Sequence, residues 1–338
     1  MNDANAIISE IQKKIFQPVY LLHGEEPYYI DLIEKAILEN AVDESARDFD
    51  QVVAYGKDID VTRIVGEARG FPLMGQRRLV IIREAQDVLK ENTGNLTLLE
   101  NYCEKPSAST VLVFCYKYKK FDSRKKLFKT IGKNGVTFYS EKVKDYNLVS
   151  WISNYLRGRN FSITPKANQL LADSLGNDLS KITNELNKLE LLLPKGTTIN
   201  EIHVEENIGI SKDFNVFELV NALQVRDIPK AFQIVDYFDH NPKAAPLVVV
   251  IANLFNFFER LMRIHFSGTQ VPDELARKLG IHPFAVKGLI QACRLYTRKK
   301  CAANIAVLHE FDLKSKGVGN SSATEGELMK EMIFKLMN

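Results

Sequence analysis

Cysteine is scarce in this chain and poorly arranged for chemistry. Cys103, Cys115, Cys293 and Cys301 are the only four among 338 residues, and no two form a Cys-x-x-Cys pair. No histidine completes a zinc spacing with them. A zinc module is therefore excluded, and the reduced thiols of a cytosolic protein are expected. Charge of one sign is lacking too. The formal net charge of +3 is close to neutral, which argues against a protein that coats nucleic acid but leaves room for a local basic patch. Long apolar runs are also missing. The most apolar stretch, Ala245 to Phe258, is broken by Asn253 and Asn256 and followed at once by Glu259 and Arg260. It is too short to span a bilayer, so no membrane partner is expected. The opening Met-Asn-Asp-Ala-Asn has neither a basic start nor an apolar core. No signal peptide is read there, and a cytoplasmic location is expected.

What is present is an ordinary globular balance, 45% hydrophobic and 26% charged, in a chain long enough for two or three domains. Up to about residue 142, strand and helix signals alternate. Strands are expected at Val19–Leu22, Asp50–Ala54, Arg78–Ile82, Thr110–Phe114 and Val136–Tyr139. Helices are expected at Pro27–Asn40, at Val61–Ala68 with Asp60 as N-cap, near Leu96–Cys103, and at Ser123–Ile131. Alternation of this kind builds βαβ units and hence a parallel sheet covered on both faces. Beyond Lys142 the period becomes helical. Tyr146–Arg157, Pro165–Leu175 and Asp178–Leu193 suggest a small helical domain over 143–211. A larger helical domain is expected over 212–338, following the α/β domain of 1–142. Its longest helix, expected over 244–266, carries the stripe Leu247, Ile251, Leu254, Phe258 and Leu261. Part of that stripe is available in principle for an oligomer interface.

The loop after the first strand is where a nucleotide-binding α/β domain holds phosphate. Counted from Gly24, the Gly-Lys-Thr positions of a phosphate loop are occupied by Tyr29, Ile30 and Asp31. The lysine is missing, a bulky ring replaces the second glycine, and Glu25 and Glu26 would repel a triphosphate. The third strand ends in Arg83-Glu84 rather than the acidic pair that holds magnesium in an ATPase. A solvated ion pair is the simpler reading of those two residues. No cofactor and no metal are expected. His23 lacks a serine or cysteine partner. His282 is read as a capping or packing residue. Asp236, Asp239 and His240 are read as a solvated helix end. No catalytic site is expected.

Three segments carry a family resemblance. Val19-Tyr20-Leu21-Leu22-His23-Gly24-Glu25-Glu26-Pro27-Tyr28 resembles the opening strand and loop of the delta subunit of bacterial DNA polymerase III, a clamp-loader subunit. Phe71-Pro72-Leu73-Met74-Gly75-Gln76-Arg77-Arg78-Leu79-Val80 resembles its clamp-contacting segment, and Leu279-Gly280-Ile281-His282-Pro283-Phe284-Ala285-Val286 its C-terminal signature. The resemblance implies an AAA+-like domain with a degenerate nucleotide site, a small helical domain and a helical collar. It implies binding to the ring-shaped sliding clamp (beta), to the gamma/tau and delta prime loader subunits, and to primed DNA within the complex. The family is part of a DNA-directed DNA polymerase holoenzyme, although no catalytic residue is implied here.

The same resemblance gives the apolar segment 71–74 a role. Leu73 and Met74 would form an exposed plug for the clamp, with Phe71 and Pro72 shaping it. The family often carries Leu-Phe at that tip. Methionine is flexible and apolar and fills the same kind of pocket. On the residues alone, the alternative is a loop folded back over the local core.

Basic residues supply the competing function, a stand-alone nucleic-acid-binding protein. Lys117, Lys119, Lys120, Arg124 and Lys125, with Lys126, Lys129 and Lys133, surround Tyr116, Tyr118 and Phe121. Charge for phosphate and rings for stacking are what such a surface needs. The plainer reading is a solvated face whose aromatics anchor the strand before it. Arg298 and Lys299, with Arg294 and Lys300, form a second candidate set for DNA.

Overall fold

The computed structural model describes residues 3–90, 96–211, 213–242, 244–281 and 283–338. They fall into two compact units, Met1–Val143 and Lys144–Asn338. The first unit runs α1 (Ala4–Gln12), β1 (Val19–Gly24), α2 (Pro27–Asn40), a 3-10 turn (Glu44–Ala46), α3 (Arg47–Asp50), β2 (Gln51–Tyr55), α4 (Val61–Arg69), β3 (Arg78–Arg83), α5 (Leu96–Glu104), β4 (Thr110–Lys117), α6 (Lys126–Asn134) and β5 (Val136–Ser140).

The five strands form one sheet in the order β2-β3-β4-β1-β5, and every pairing is parallel. The apolar strands split by the two-residue period of the pleat. Leu21, Val80, Ile82, Leu112 and Phe114 pack on one face with α4, α5 and α6 residues such as Ile64, Leu99 and Ile131. Tyr20, Leu22, Leu79, Ile81 and Val113 pack on the other with Ile7, Ile33 and Ile37 of α1 and α2. Burial on both faces is why these strands read as continuous apolar runs rather than alternating ones.

Local signals set the helix starts. Pro27 occupies the first turn of α2, where its missing N–H costs nothing. The Asp60 side chain accepts from Arg63 N at 2.8 Å and starts α4. The helix expected over Ser123–Ile131 instead begins at Lys126. The Asp122 side chain accepts from the backbone N–H of Arg124 at 2.9 Å and holds that stretch in a turn. Strand β2 begins at Gln51, because Asp50 ends the short helix α3.

The second unit comprises α7 (Asp145–Arg157), β6 (Ser162–Ile163), α8 (Pro165–Leu175), α9 (Leu179–Leu192), β7 (Thr198–Ile199), α10 (Glu201–Ile208), α11 (Val216–Val225), α12 (Ile228–His240), α13 (Leu247–Phe266), α14 (Pro272–Leu279), α15 (Pro283–Leu295), α16 (Arg298–Ser315) and α17 (Glu325–Met337). Among the described residues its regular elements are helices apart from the short parallel pair β6 and β7. Helix α13 starts at Leu247 rather than at residue 244, directly after Pro246. Its predicted stripe is not left for a partner. Leu247, Ile251, Leu254, Phe258 and Leu261 are all buried in the core of this unit. The exposed large apolar residues on α13 are Val248, Val249, Phe255 and, at its last position, Phe266. Seven helices converge on one core and consume the whole stripe. Gly280 ends α14 with φ of +68°, a left-handed conformation that favours glycine. His282 lies outside the described residues.

Candidate functional site

The segment 70–77 joins the end of α4 to β3 and has no helix or strand of its own. At its tip Phe71, Leu73 and Met74 are 78%, 73% and 65% exposed, while Pro72 is half-buried. Three large apolar side chains thus face solvent within four residues. The loop does not fold back over the core. Both of its ends are anchored. Arg78 Nε donates to the Glu67 carbonyl at 2.9 Å, and its guanidinium also binds the Glu67 carboxylate. Another Arg78 nitrogen reaches the Phe49 carbonyl at 3.2 Å. The middle of the loop is held by Asp50, which ends α3 rather than opening the strand expected over Asp50–Ala54. Its carboxylate accepts from the backbone N–H of Leu73, from Met74 at 2.9 Å and from Gly75 at 2.6 Å. Burial alone would raise the Asp50 carboxyl. The three N–H donors, with Arg78 nearby, turn the net shift downward and keep it ionised.

At the other end of the sheet, the loop after β1 shows how a phosphate site is filled by protein. Gly24 has φ of +144°, and a Cβ there would lie 2.0 Å from the Ser140 carbonyl oxygen. The glycine allows backbone to approach β5, as a phosphate-loop glycine allows approach to phosphate. The buried Glu26 caps α2, its Oε1 accepting from Tyr28 N at 3.1 Å. A carboxylate of the chain therefore sits at the positive helix end that would attract phosphate. Tyr29 is half-buried against the core and Ile30 is fully inside it. Asp31 pairs with Lys117 Nζ at 2.5 Å. One turn on, the buried Glu34 accepts from Arg83 Nε at 2.6 Å. Arg83 was expected to pair with Glu84. It turns to α2 instead, and Glu84 accepts from Gln86. The Cys115 thiol donates to the other Glu34 oxygen at 3.4 Å. Burial and the Glu34 charge push that thiol well up, so it stays protonated as a donor.

His23 belongs to the same corner. It is 2% exposed, and its Nδ1 accepts from Phe121 N at 3.1 Å. Burial, reinforced by the Lys120 charge, lowers it to about 4. The folded state thus keeps a neutral imidazole, while the unfolded chain takes up a proton below about pH 6.5. Stability from this group is intact above that pH and is lost as pH falls toward 4, levelling below it. The expected loss is about 3 kcal/mol at most. Urea midpoints from pH 7.5 to 4.5 should show the wild type losing more stability than His23→Asn. Parallel curves would rule out His23 as the source.

The basic segment is placed less favourably for stacking than its composition suggested. Phe121 is buried in the core with Tyr116 packed against it, and only Tyr118 of the three rings is largely exposed. Lys117 already partners Asp31. Lys120 lies 4.8 Å from the Tyr139 ring centroid and Lys125 lies 5.7 Å from that of Phe121. Arg124 is engaged with Asp122 at 2.8 Å, and Lys119 is exposed. In the second unit, Arg298 and Lys299 open α16, and Arg298 covers the exposed Phe266 ring at 5.1 Å. Among the described residues no group of three or more His, Cys, Asp or Glu side chains is placed to hold a metal. None of their helices is long and apolar enough to cross a membrane.

Sheet order, parallel pairing and the following helices define an AAA+-like α/β fold in the first unit, and the chain continues into a second, mostly helical unit. Residues 20–140 match the family described as DNA polymerase III, delta subunit, and residues 213–336 match DNA polymerase III delta subunit, C-terminal domain. The chain belongs to the DNA polymerase III delta subunit family. DNA polymerase III subunit delta of Bacillus subtilis (strain 168) is 26% identical over 312 residues, 90% of each chain. The solved structure of the Bacillus subtilis DNA clamp loader delta protein shares the fold, with a TM-score of 0.65 and 23% identity over 99% of each chain.

Proposed function

We propose that this chain grips the DNA sliding clamp through Leu73 and Met74 and holds the ring open while it is loaded onto primed DNA. The observation that carries the reading is the exposed apolar tip, whose three large side chains gain nothing from the chain's own core. Monomeric surfaces rarely present such a cluster unless something docks there. Phe71 and Pro72 flank and shape the contact. The other partners are the gamma/tau and delta prime subunits, met in the cytoplasm, and the exposed Val248, Val249 and Phe255 of α13 offer them apolar surface. The chain is organised as a clamp-contacting domain (1–142), a lid-like domain (143–211) and a collar (212–338). The core cluster running from Leu219 to Met337 includes none of the buried residues between Leu148 and Val204, which supports the second boundary. Lys119, Lys120, Arg124, Lys125, Arg298 and Lys299 are the candidates for DNA contact within the complex.

The chain works without binding ATP. The positions that would hold phosphate carry Tyr29, Ile30 and Asp31, and the Glu26 carboxylate caps the helix end. One assay separates the readings: titration of the full chain with clamp, with magnesium-ATP and with primed DNA. Clamp binding is expected, with no heat from ATP. Micromolar affinity for ATP would overturn the nucleotide reading. Tight binding of primed DNA by the chain alone, without clamp binding, would favour the nucleic-acid alternative.

A further inference from the structure

Asp50 is 0% exposed and lies more than twenty residues from the amides it holds. Three consecutive N–H groups, those of Leu73, Met74 and Gly75, converge on its one carboxylate. Hydrogen bonds to an ionised acceptor are stronger than neutral ones, and buried ones more so. The loop has little else to order its tip. Phe71, Leu73 and Met74 point to solvent, so apolar packing does not fix the backbone that carries them. Gly75 fits the same arrangement. A Cβ there would lie 3.1 Å from Asp50 Oδ2, tighter than ordinary contact, so glycine lets the third amide approach. Arg78 ties the loop's C-terminal end to Glu67 of α4 and to the Phe49 carbonyl next to Asp50. Ends and centre are therefore fixed by polar groups, and the apolar side chains are left free for a partner.

We infer that Asp50 is a positioning residue: its buried carboxylate pre-orders the 73–75 backbone so that Leu73 and Met74 are presented to the clamp in their binding conformation. This rests on the tip being the clamp contact. A loop left free must be ordered when it binds, and that ordering weakens the complex. Asp50 moves the ordering into folding.

The test uses the full chain and the clamp ring in surface plasmon resonance. Asp50→Asn keeps the side-chain volume but removes the charge and replaces one acceptor oxygen with a donor. It should weaken clamp binding roughly tenfold to a hundredfold. In a Leu73→Ala background the same change should cost several-fold less, because the tip it positions is already damaged. Equal cost in both backgrounds would mean a general structural role and would overturn the inference. Wild-type affinity in Asp50→Asn would overturn it too, while a harmless Leu73→Ala/Met74→Ala change would instead overturn the contact itself. Amide hydrogen exchange on the free wild-type chain gives an independent reading. The amides of Leu73, Met74 and Gly75 should exchange slowly despite their place on an exposed loop. Exchange as fast as in an unstructured peptide would sink the proposal, even if the variant failed to fold.

Discussion

Replacing Leu73 and Met74 together by alanine is expected to weaken clamp binding by roughly 30-fold to several thousand-fold. Each side chain is mostly exposed in the free chain, so each has most of its apolar area left to bury against a partner. Complete burial of such a side chain contributes about 1.5 to 3 kcal/mol. Truncating both should cost about 2 to 5 kcal/mol, since hot-spot values are not simply additive. The same exposure predicts the control. Neither side chain supports the core, so the double variant should unfold at the same denaturant concentration as wild type. If the tip is the clamp contact, as proposed, opening the ring needs no chemistry in this chain. A ligand shifts an equilibrium only by its differential affinity for the two states. On the proposed reading, the chain need only bind the distorted ring more tightly than the closed one. Unchanged affinity in a stable double variant would move the contact elsewhere. An early-melting variant would show that the loop supports the fold after all.

The parallel sheet was legible because parallel strands are buried on both faces and read as short apolar runs. Helix starts were legible where a cap or a proline marks them, as at Asp60, Pro27, Pro165 and Asp178. What escaped has a common physical origin. Helix α3 spans only four residues, too few for a helical period to appear, and β6 and β7 have two residues each. The exposed tip itself was visible as apolar residues on a loop, but its support was not. Asp50 is separated from Leu73 by 23 positions and Arg83 from Glu34 by 49. No local pattern encodes such pairs. Two hints were there to be read: an acidic residue on the edge of an apolar strand, and a glycine directly after the apolar tip. The α13 stripe shows the opposite error. Its width was read correctly, but how much of it the surrounding helices would cover depends on packing that one helix does not reveal.

Arg83→Met is expected to destabilise the N-terminal unit by about 2 to 4 kcal/mol. The side chain of Glu34 is 5% exposed, and Arg83 is the cation that faces it, at 2.6 Å. Removing the guanidinium leaves a buried carboxylate with the Cys115 thiol as a hydrogen-bond donor and the Lys117 charge, already paired with Asp31, as a further electrostatic neighbour. Breaking a buried pair from one side costs about 3 to 5 kcal/mol. Arg83 itself is 35% exposed, so water can partly replace it and the lower range applies here. The pair stands where an ATPase would end the strand with acidic residues for magnesium. In this chain it fastens α2 to β3, while Asp31 and Lys117 fasten α2 to β4. A second variant separates the stranded charge from simple loss of packing. Glu34→Met with Arg83→Met removes both charges, and apolar replacements of buried pairs are often close to neutral. The double variant should therefore be more stable than Arg83→Met alone. Urea unfolding followed by far-ultraviolet circular dichroism reads both. If Arg83→Met unfolded like wild type, or the double variant were the less stable of the two, the buried pair would not be what secures this end of the sheet.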